Sequence, residues 1–189
     1  MTFTRKERSP MSSPIVLLGV TGSIAAYKAA DIASQLVKAG CDVHVIMTEG
    51  AERFITPLTL QTLSRHEVVL DKDPHTSDWK PRHIALADSA SLLLIAPASA
   101  NVLAELAHGL ANRPLTEVAL ATRAPTLIAP AMNGHMWEHP ATRENVQKLR
   151  SRGTSFVGPS EGMLACGYEG IGRLAEPADI VKAACEILG

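Results

Sequence analysis

Several ingredients are scarce in this chain of 189 residues. Only three cysteines occur, Cys41, Cys166 and Cys185, and no two form a C-x-x-C pair. That excludes a disulfide framework and a thiolate zinc motif, so no metal centre is expected. A reducing, cytoplasmic setting is the expectation. No apolar run approaches the roughly 18 residues of a membrane span. Arg5, Lys6 and Arg8 are not followed by an apolar stretch long enough for a secretion signal. Residues 1–13 therefore read as a disordered tail and 14–189 as one domain. Neither sign of charge dominates: 18 basic and 19 acidic side chains leave a net charge of -1. No basic surface calls for nucleic acid. Aromatic residues are 4% of the chain, yet 46% is hydrophobic, so the core must be aliphatic.

What the chain has in quantity is alternation. Short apolar runs at 15–20, 43–47, 92–96 and 126–129 read as buried strands, with a last short strand at 155–157. Between them lie helical patterns at 24–39, 51–54, 57–64, 101–108, 116–122, 140–152 and 176–188. The polar stretch 71–82 reads as loop, and a short helix starts at His83 and ends near Asp88. Buried strands alternating with helices imply an α/β fold: a Rossmann-like three-layer sandwich, with a central parallel sheet and helices on both faces. Ligands of such folds sit beyond the carboxyl ends of the strands. The unusual residues of this chain fall at those ends.

After the first strand, Gly19-Val20-Thr21-Gly22-Ser23-Ile24 enters a helix. Such a loop offers backbone N–H groups and a helix start to an anion. It lacks the G-x-G-x-x-G spacing of a dinucleotide site, and Thr48 rather than an acid closes the second strand. A mononucleotide phosphate suits it better, although a plain tight turn fits the spacing equally well. Pro97-Ala98-Ser99-Ala100-Asn101 ends the third long strand with small residues past which a planar ligand can approach; Ser99 and Asn101 also suit a helix cap. Pro130-Ala131-Met132-Asn133 places an amide at a strand end, where it can grip a carboxylate. Cys166 lies among Gly162, Gly167, Gly170 and Gly172, where a thiol can reach a ligand and titrate. Cys41 and Cys185 fall in apolar patterns and read as core. His83 can exchange protons near neutral pH, as can any of the seven histidines.

Taken together and in order, these segments resemble the flavin-dependent cysteine decarboxylases, most closely those acting on phosphopantothenoylcysteine. The matching pieces are Thr21-Gly22-Ser23-Ile24-Ala25-Ala26, His83-Ile84, Pro97 to Asn101, Pro130 to Asn133, Met136-Trp137 and Ala165-Cys166-Gly167, spread over residues 14–189. The resemblance implies bound FMN, a small-molecule substrate, no nucleic-acid or membrane partner, and a homotrimer, or a multiple of trimers, with flavin at the subunit interface. It implies that Gly22, Ser23 and Ile24 contact the flavin phosphate region. Thr48, Phe54, Ser99, Ala100, Asn101, Val102 and Ala131 complete the FMN site. His83 is implied as the active-site histidine, Asn133 as the grip on the substrate carboxylate, and Cys166 as proton donor. Met163 and Ala165 belong to the loop that closes over substrate.

The implied chemistry runs as follows. The substrate thiol is oxidised to a thioaldehyde, which accepts the electrons as CO2 departs. The resulting ene-thiol is reduced and protonated to 4'-phosphopantetheine. Tyr168 departs from the aspartate usual after Ala-Cys-Gly in the family. Many bacterial relatives carry a further, synthetase domain that the 189 residues do not include; the chain reads as a stand-alone decarboxylase or as one domain of a longer protein, the former being the expectation. A lantibiotic-type peptidyl-cysteine oxidative decarboxylase is the enzymatic alternative, a non-enzymatic FMN-binding regulator the other.

Overall fold

The computed structural model describes residues 13–72, 82–163, 167 and 169–189. Six parallel strands form its centre: β1 (Ile15–Val20), β2 (Asp42–Met47), β3 (Val69–Leu70), β4 (Leu92–Ala98), β5 (Thr126–Pro130) and β6 (Ser155–Phe156). They lie in the order β3-β2-β1-β4-β5-β6. Register runs Ile15 to Asp42 and Val20 to Met47 on one side of β1, and Val16 to Leu92 on the other.

Alternation within each strand builds two cores. Leu92, Leu94 and Ala96 join Val16, Leu18, Val43 and Val45 beneath α1 (Ala29–Lys38), α3 (Pro57–Ser64) and α9 (Pro177–Leu188). Leu93 and Ile95 join Leu17, Ile46 and Ile128 on the opposite face. There they meet α4 (Arg82–Ser89), α5 (Ala100–His108), α6 (Pro114–Ala121) and α8 (Pro140–Ser151). Side chains of successive strand residues point to opposite faces, so two-sided burial demands an unbroken apolar run. All seven residues of β4 are buried accordingly. This is the expected three-layer sandwich.

Several local details differ from the sequence reading. The helix expected over 24–39 divides into a 3-10 turn, Ile24–Lys28, and then α1; Gly40, at φ +88°, ends it as expected. The loop expected up to residue 82 ends sooner, because Arg82 already belongs to α4. Strand β3, of two residues, is too short to leave a pattern. Helix α2 (Glu49–Glu52) starts two residues before the expected 51–54. Helix α7 (Gly134–Glu138) occupies a stretch read only as a motif. The glycine-rich segment is not a loop throughout: β7 (Ser160–Met163) and β8 (Glu169–Arg173) pair antiparallel as a separate hairpin. Residues 1–12 of the expected tail lie outside the described residues, as do 73–81.

The hairpin is fastened to the sheet by backbone. The N–H of Met132 donates to Gly172 O at 2.9 Å. Gly172 has φ +140°, and a Cβ there would collide with Met132 O. Only glycine meets both demands.

Candidate active site

Strand order reverses between β1 and β4, and a crevice opens at their carboxyl ends, as the doubly wound topology dictates. One buried threonine holds the two ends together. Thr21 Oγ1 donates to Pro97 O at 2.8 Å and accepts from the Ser99 N–H at 2.9 Å. Sequence reasoning named Thr21 within the first-loop motif but gave it no role of its own. Its only signal was position, one residue past an apolar strand.

The crevice holds about 330 Å³ and is lined by Gly22 to Ala25, Ser99, Ala100, Ala131 to Asn133, Met136, Gly172 and Arg173. Three helical segments start on it. Ser23 caps the 3-10 turn, accepting from the Ala25 N–H at 3.3 Å. Ser99 caps α5, accepting from the Val102 N–H at 3.4 Å. Asn133 caps α7, its Oδ1 accepting from the His135 N–H at 2.9 Å. None of the three first turns carries an acidic residue. Unpaired N–H groups of helix starts carry partial positive charge. A crevice receiving three of them, with Arg173 in its lining and no carboxylate among its described lining residues, suits an anionic ligand. Arg173 in turn pairs with Glu176, which also takes Lys28 at 3.4 Å.

The Asn133 cap has a chemical consequence. It assigns the carbonyl oxygen to the backbone, so the amide donor Nδ2 is the opposite end of a fixed group. A donor is what a carboxylate ligand needs.

The first loop is shaped by a glycine pair. A Cβ on Gly22 would stand 3.0 Å from the Gly50 Cα, so the loop after β1 touches the backbone of α2. The 3-10 turn makes the dipole argument for this loop weaker than expected, since an aligned α-helix starts only at Ala29. Backbone N–H groups and the Ser23 hydroxyl remain. The small side chains of Ala100 and Ala131 leave room for a flat ring. On these grounds the crevice fits a phosphate-bearing planar cofactor such as FMN.

The structure thus brings Gly22, Ser23, Ile24, Ser99, Ala100, Ala131 and Asn133 to one place. Other expected residues lie outside this lining. Thr48 is buried, its N–H donating to Val20 O at 3.0 Å. Phe54 is exposed beyond α2. Asn101 turns along α5, donating to Glu105 Oε1 at 2.9 Å. Val102 packs in the second core, leaving only its backbone to a ligand. Met163 is exposed at the end of β7. Cys166 and Ala165 lie outside the described residues.

His83 stands on α4, apart from the crevice but at the same end of the sheet. A helix leading into a parallel strand runs against it, so its first turn lies level with the strand carboxyl ends. His83 Nδ1 lies 3.2 Å from Glu117 Oε2, and both side chains are about three-quarters buried. Glu117 carried no sequence signal, because α4 and α6 meet only in the fold. Nearby, Arg113 bridges Asp71 at 3.2 Å and Glu105 at 2.9 Å.

Comparison with known proteins places this geometry. The family described as Flavoprotein matches residues 4–189. The coenzyme A biosynthesis bifunctional protein CoaBC of Bacillus subtilis (strain 168) is 54% identical over 169 residues, covering 89% of this chain and 42% of that protein. The chain therefore spans about two-fifths of the length of such bifunctional relatives. A probable phosphopantothenoylcysteine decarboxylase of Streptococcus mutans is 48% identical over 88% of this chain and 94% of its own. Among solved structures, a cysteine-to-serine mutant of PPC decarboxylase complexed with pantothenoylaminoethenethiol superposes with TM-score 0.83 at 33% identity, covering 92% of this chain and 97% of that one. The FMN binding protein AtHal3 gives TM-score 0.80 at 33% identity, covering 92% and 96%.

Proposed function

Because the chain belongs to the Flavoprotein family, we propose that it decarboxylates 4'-phosphopantothenoylcysteine to 4'-phosphopantetheine with FMN, in coenzyme A biosynthesis. The observation that carries this reading is the convergence of the Ser23, Ser99 and Asn133 caps on one crevice with no acidic side chain among its described lining residues. An FMN phosphate and a substrate carboxylate both need such a place.

Bound FMN supplies a reversible two-electron store, which a saturated carbon bearing a carboxylate requires before CO2 can leave. The chain supplies the rest. Backbone N–H groups at Gly22 to Ile24 and the Ser23 hydroxyl hold the cofactor phosphate. Ser99, Ala100 and Ala131 wall the ring. Thr48, Phe54, Asn101 and Val102 complete the cofactor's surroundings, Val102 through its backbone. Asn133 Nδ2 binds the substrate carboxylate and holds it in line for departure. His83 removes the thiol proton during oxidation. Cys166 delivers a proton to the ene-thiol carbon. Met163 and Ala165 close over the substrate and exclude water from the reactive thioaldehyde.

The assembly is a homotrimer, or a multiple of trimers, and each cofactor lies between two copies. Two features support this. His83 stands outside the crevice of its own chain, so a neighbouring copy is the natural recipient of its imidazole. Ile24, Tyr27, Phe54, Met136 and Met163 are apolar side chains left exposed in a single copy. The location is the cytoplasm; among the described residues no helix is long and apolar enough to cross a membrane. The deciding experiment incubates the FMN-loaded protein with phosphopantothenoylcysteine and reads the product by mass spectrometry. 4'-Phosphopantetheine is expected; unchanged substrate overturns the proposal, and an oxidised ene-thiol as the sole product points to the lantibiotic-type reaction.

A further inference from the structure

At the amino ends of the strands, away from the crevice, two histidines and an aspartate face one another. Asp42 and His44 are two apart on β2 and so share a face. That face is the one bearing Ile46, toward α4 to α6. His66 follows α3 and returns to the same point. Its Nε2 lies 2.6 Å from Asp42 Oδ1, and His44 Nε2 lies 3.4 Å from Asp42 Oδ2. The two rings are stacked, centroids 4.0 Å apart and planes at 19°. One potential ligand atom from each residue lies within 4.8 Å of the others.

The backbone before His66 is set to place it. Arg65 adopts the left-handed conformation at φ +63°, a position where helices usually place glycine. Ser64 Oγ accepts from the His66 N–H at 3.4 Å and also lies 3.3 Å from His66 O, to which it donates. The turn that aims His66 at Asp42 is therefore held from both sides.

We propose that Asp42, His44 and His66 form a binding site for a divalent transition metal of the zinc class. Two imidazole nitrogens and one carboxylate oxygen are borderline donors; they suit Zn²⁺, Co²⁺ or Ni²⁺ and not Mg²⁺ or Ca²⁺, which take oxygen. Zinc bonds of about 2.0–2.2 Å put tetrahedral ligand atoms roughly 3.3 Å apart. His66 Nε2 lies 2.6 Å from Oδ1 and His44 Nε2 3.4 Å from Oδ2 of the same carboxylate, and one ligand atom from each residue lies within 4.8 Å of the others, so small side-chain rotations reach that spacing. In the stacked arrangement both Nε2 atoms address one carboxylate, each at its own oxygen. Loading turns the rings so that the lone pairs converge, each imidazole keeping its proton on Nδ1. The side chains are 26%, 39% and 36% exposed for His44, His66 and Asp42, so the rings have room to turn and water completes the coordination. Arg65 lines the neighbouring hollow, as do Ser64, Ser89 and Ser91; it is the cation bordering the site. No spacing rule reveals this set, because 24 residues separate Asp42 from His66. The metal joins the start of β2 to the turn after α3 and takes no part in the flavin chemistry.

The test uses the full chain loaded with FMN and stripped by a chelator. Calorimetric titration with Zn²⁺ should show saturable binding of one ion per chain at submillimolar zinc. The melting temperature should rise with zinc, since a ligand of the native state alone stabilises it. Co²⁺ should give the visible absorption of a four- or five-coordinate nitrogen–oxygen site. His44→Gln and His66→Gln should each weaken zinc binding at least tenfold and abolish the zinc-dependent rise in melting temperature. Both should keep flavin content and decarboxylation; each reads the site separately, so one poorly folding variant leaves the other as the test. Absence of saturable binding in the parent protein overturns the proposal. So does binding of undiminished strength in the variants, which would put the metal elsewhere on the chain.

Discussion

His83 and Glu117 form a pair across two helices, Nδ1 to Oε2 at 3.2 Å. The pair sets the Nδ1 edge of the ring beside a carboxylate and leaves Nε2 on the far edge, the nitrogen that the proposed reaction uses to take up a proton. The same carboxylate holds the ring in place across the two helices. On the proposed reading Glu117 acts through His83, which makes it a positioning residue.

Glu117→Gln keeps a hydrogen-bonding group of the same shape and removes the charge. The rate of flavin reduction by substrate should fall about tenfold, a fraction of what general base catalysis contributes. KM and FMN content should hold. Stopped-flow absorbance measures it. An unchanged rate removes Glu117 from the reaction, whereas loss in His83→Asn with none in Glu117→Gln would keep His83 as base and discard only its pairing.

Asn133→Asp separates the fold from the chemistry at one position. Aspartate caps helices as well as asparagine does, so α7 and the fold should survive. Its carboxylate would then face the substrate carboxylate, and like charges repel in a closed site. FMN should remain bound while decarboxylation drops by at least about 100-fold, the scale of losing one preorganised hydrogen bond and gaining a repulsion. Product analysis alongside the flavin spectrum decides; near-normal turnover would take Asn133 out of the substrate site.

The sheet was legible in the sequence because two-sided burial leaves no room for polar residues. Leu92 to Ala96 could only be a central strand. The strand-end loops were legible for the converse reason: Gly22, Ser99 and Asn133 are small or polar where the apolar run stops. The hairpin β7–β8 was not, since Gly162, Gly170 and Gly172 suppress both propensity and alternation in strands of four and five residues. Helix α7 escaped because five residues are too few for a period, and its cap, Asn133, was read as a ligand group alone. Pairings between distant elements, such as His83 with Glu117 across two helices or Thr21 with Pro97 across two strand ends, leave no sequence trace because their separation is arbitrary.

Gly172→Ala should damage the site from a distance. The added methyl meets Met132 O, and φ +140° is unfavourable for alanine. Relief requires β8 to move away from residue 132, breaking the Met132 N–H to Gly172 O bond and shifting the neighbouring Asn133. A stability loss of about 2 kcal/mol is expected from backbone strain and the lost bond. Denaturant melts give the first quantity, and substrate affinity should fall with it. A variant as stable as the parent would show that the hairpin docks without this contact.

Cys166→Ser should divide the reaction at its second half. Neither Cys41 nor Cys185 can substitute: Cys41 is buried, and burial, reinforced by Cys185, pushes its thiol above the usual cysteine range. Cys185 packs against the first core. In the proposed reaction thiol oxidation and CO2 loss rest on the flavin, His83 and Asn133, so they should proceed in the variant. Serine is a far weaker acid than cysteine, so protonation of the ene-thiol should slow sharply. The variant should accumulate a product two hydrogens lighter than 4'-phosphopantetheine. Its flavin should stay reduced, holding the two electrons, until oxygen takes them. Mass spectrometry of a single-turnover mixture under anaerobic conditions reads both. Normal product at the normal rate would make Cys166 a bystander and require another acid to finish the reaction.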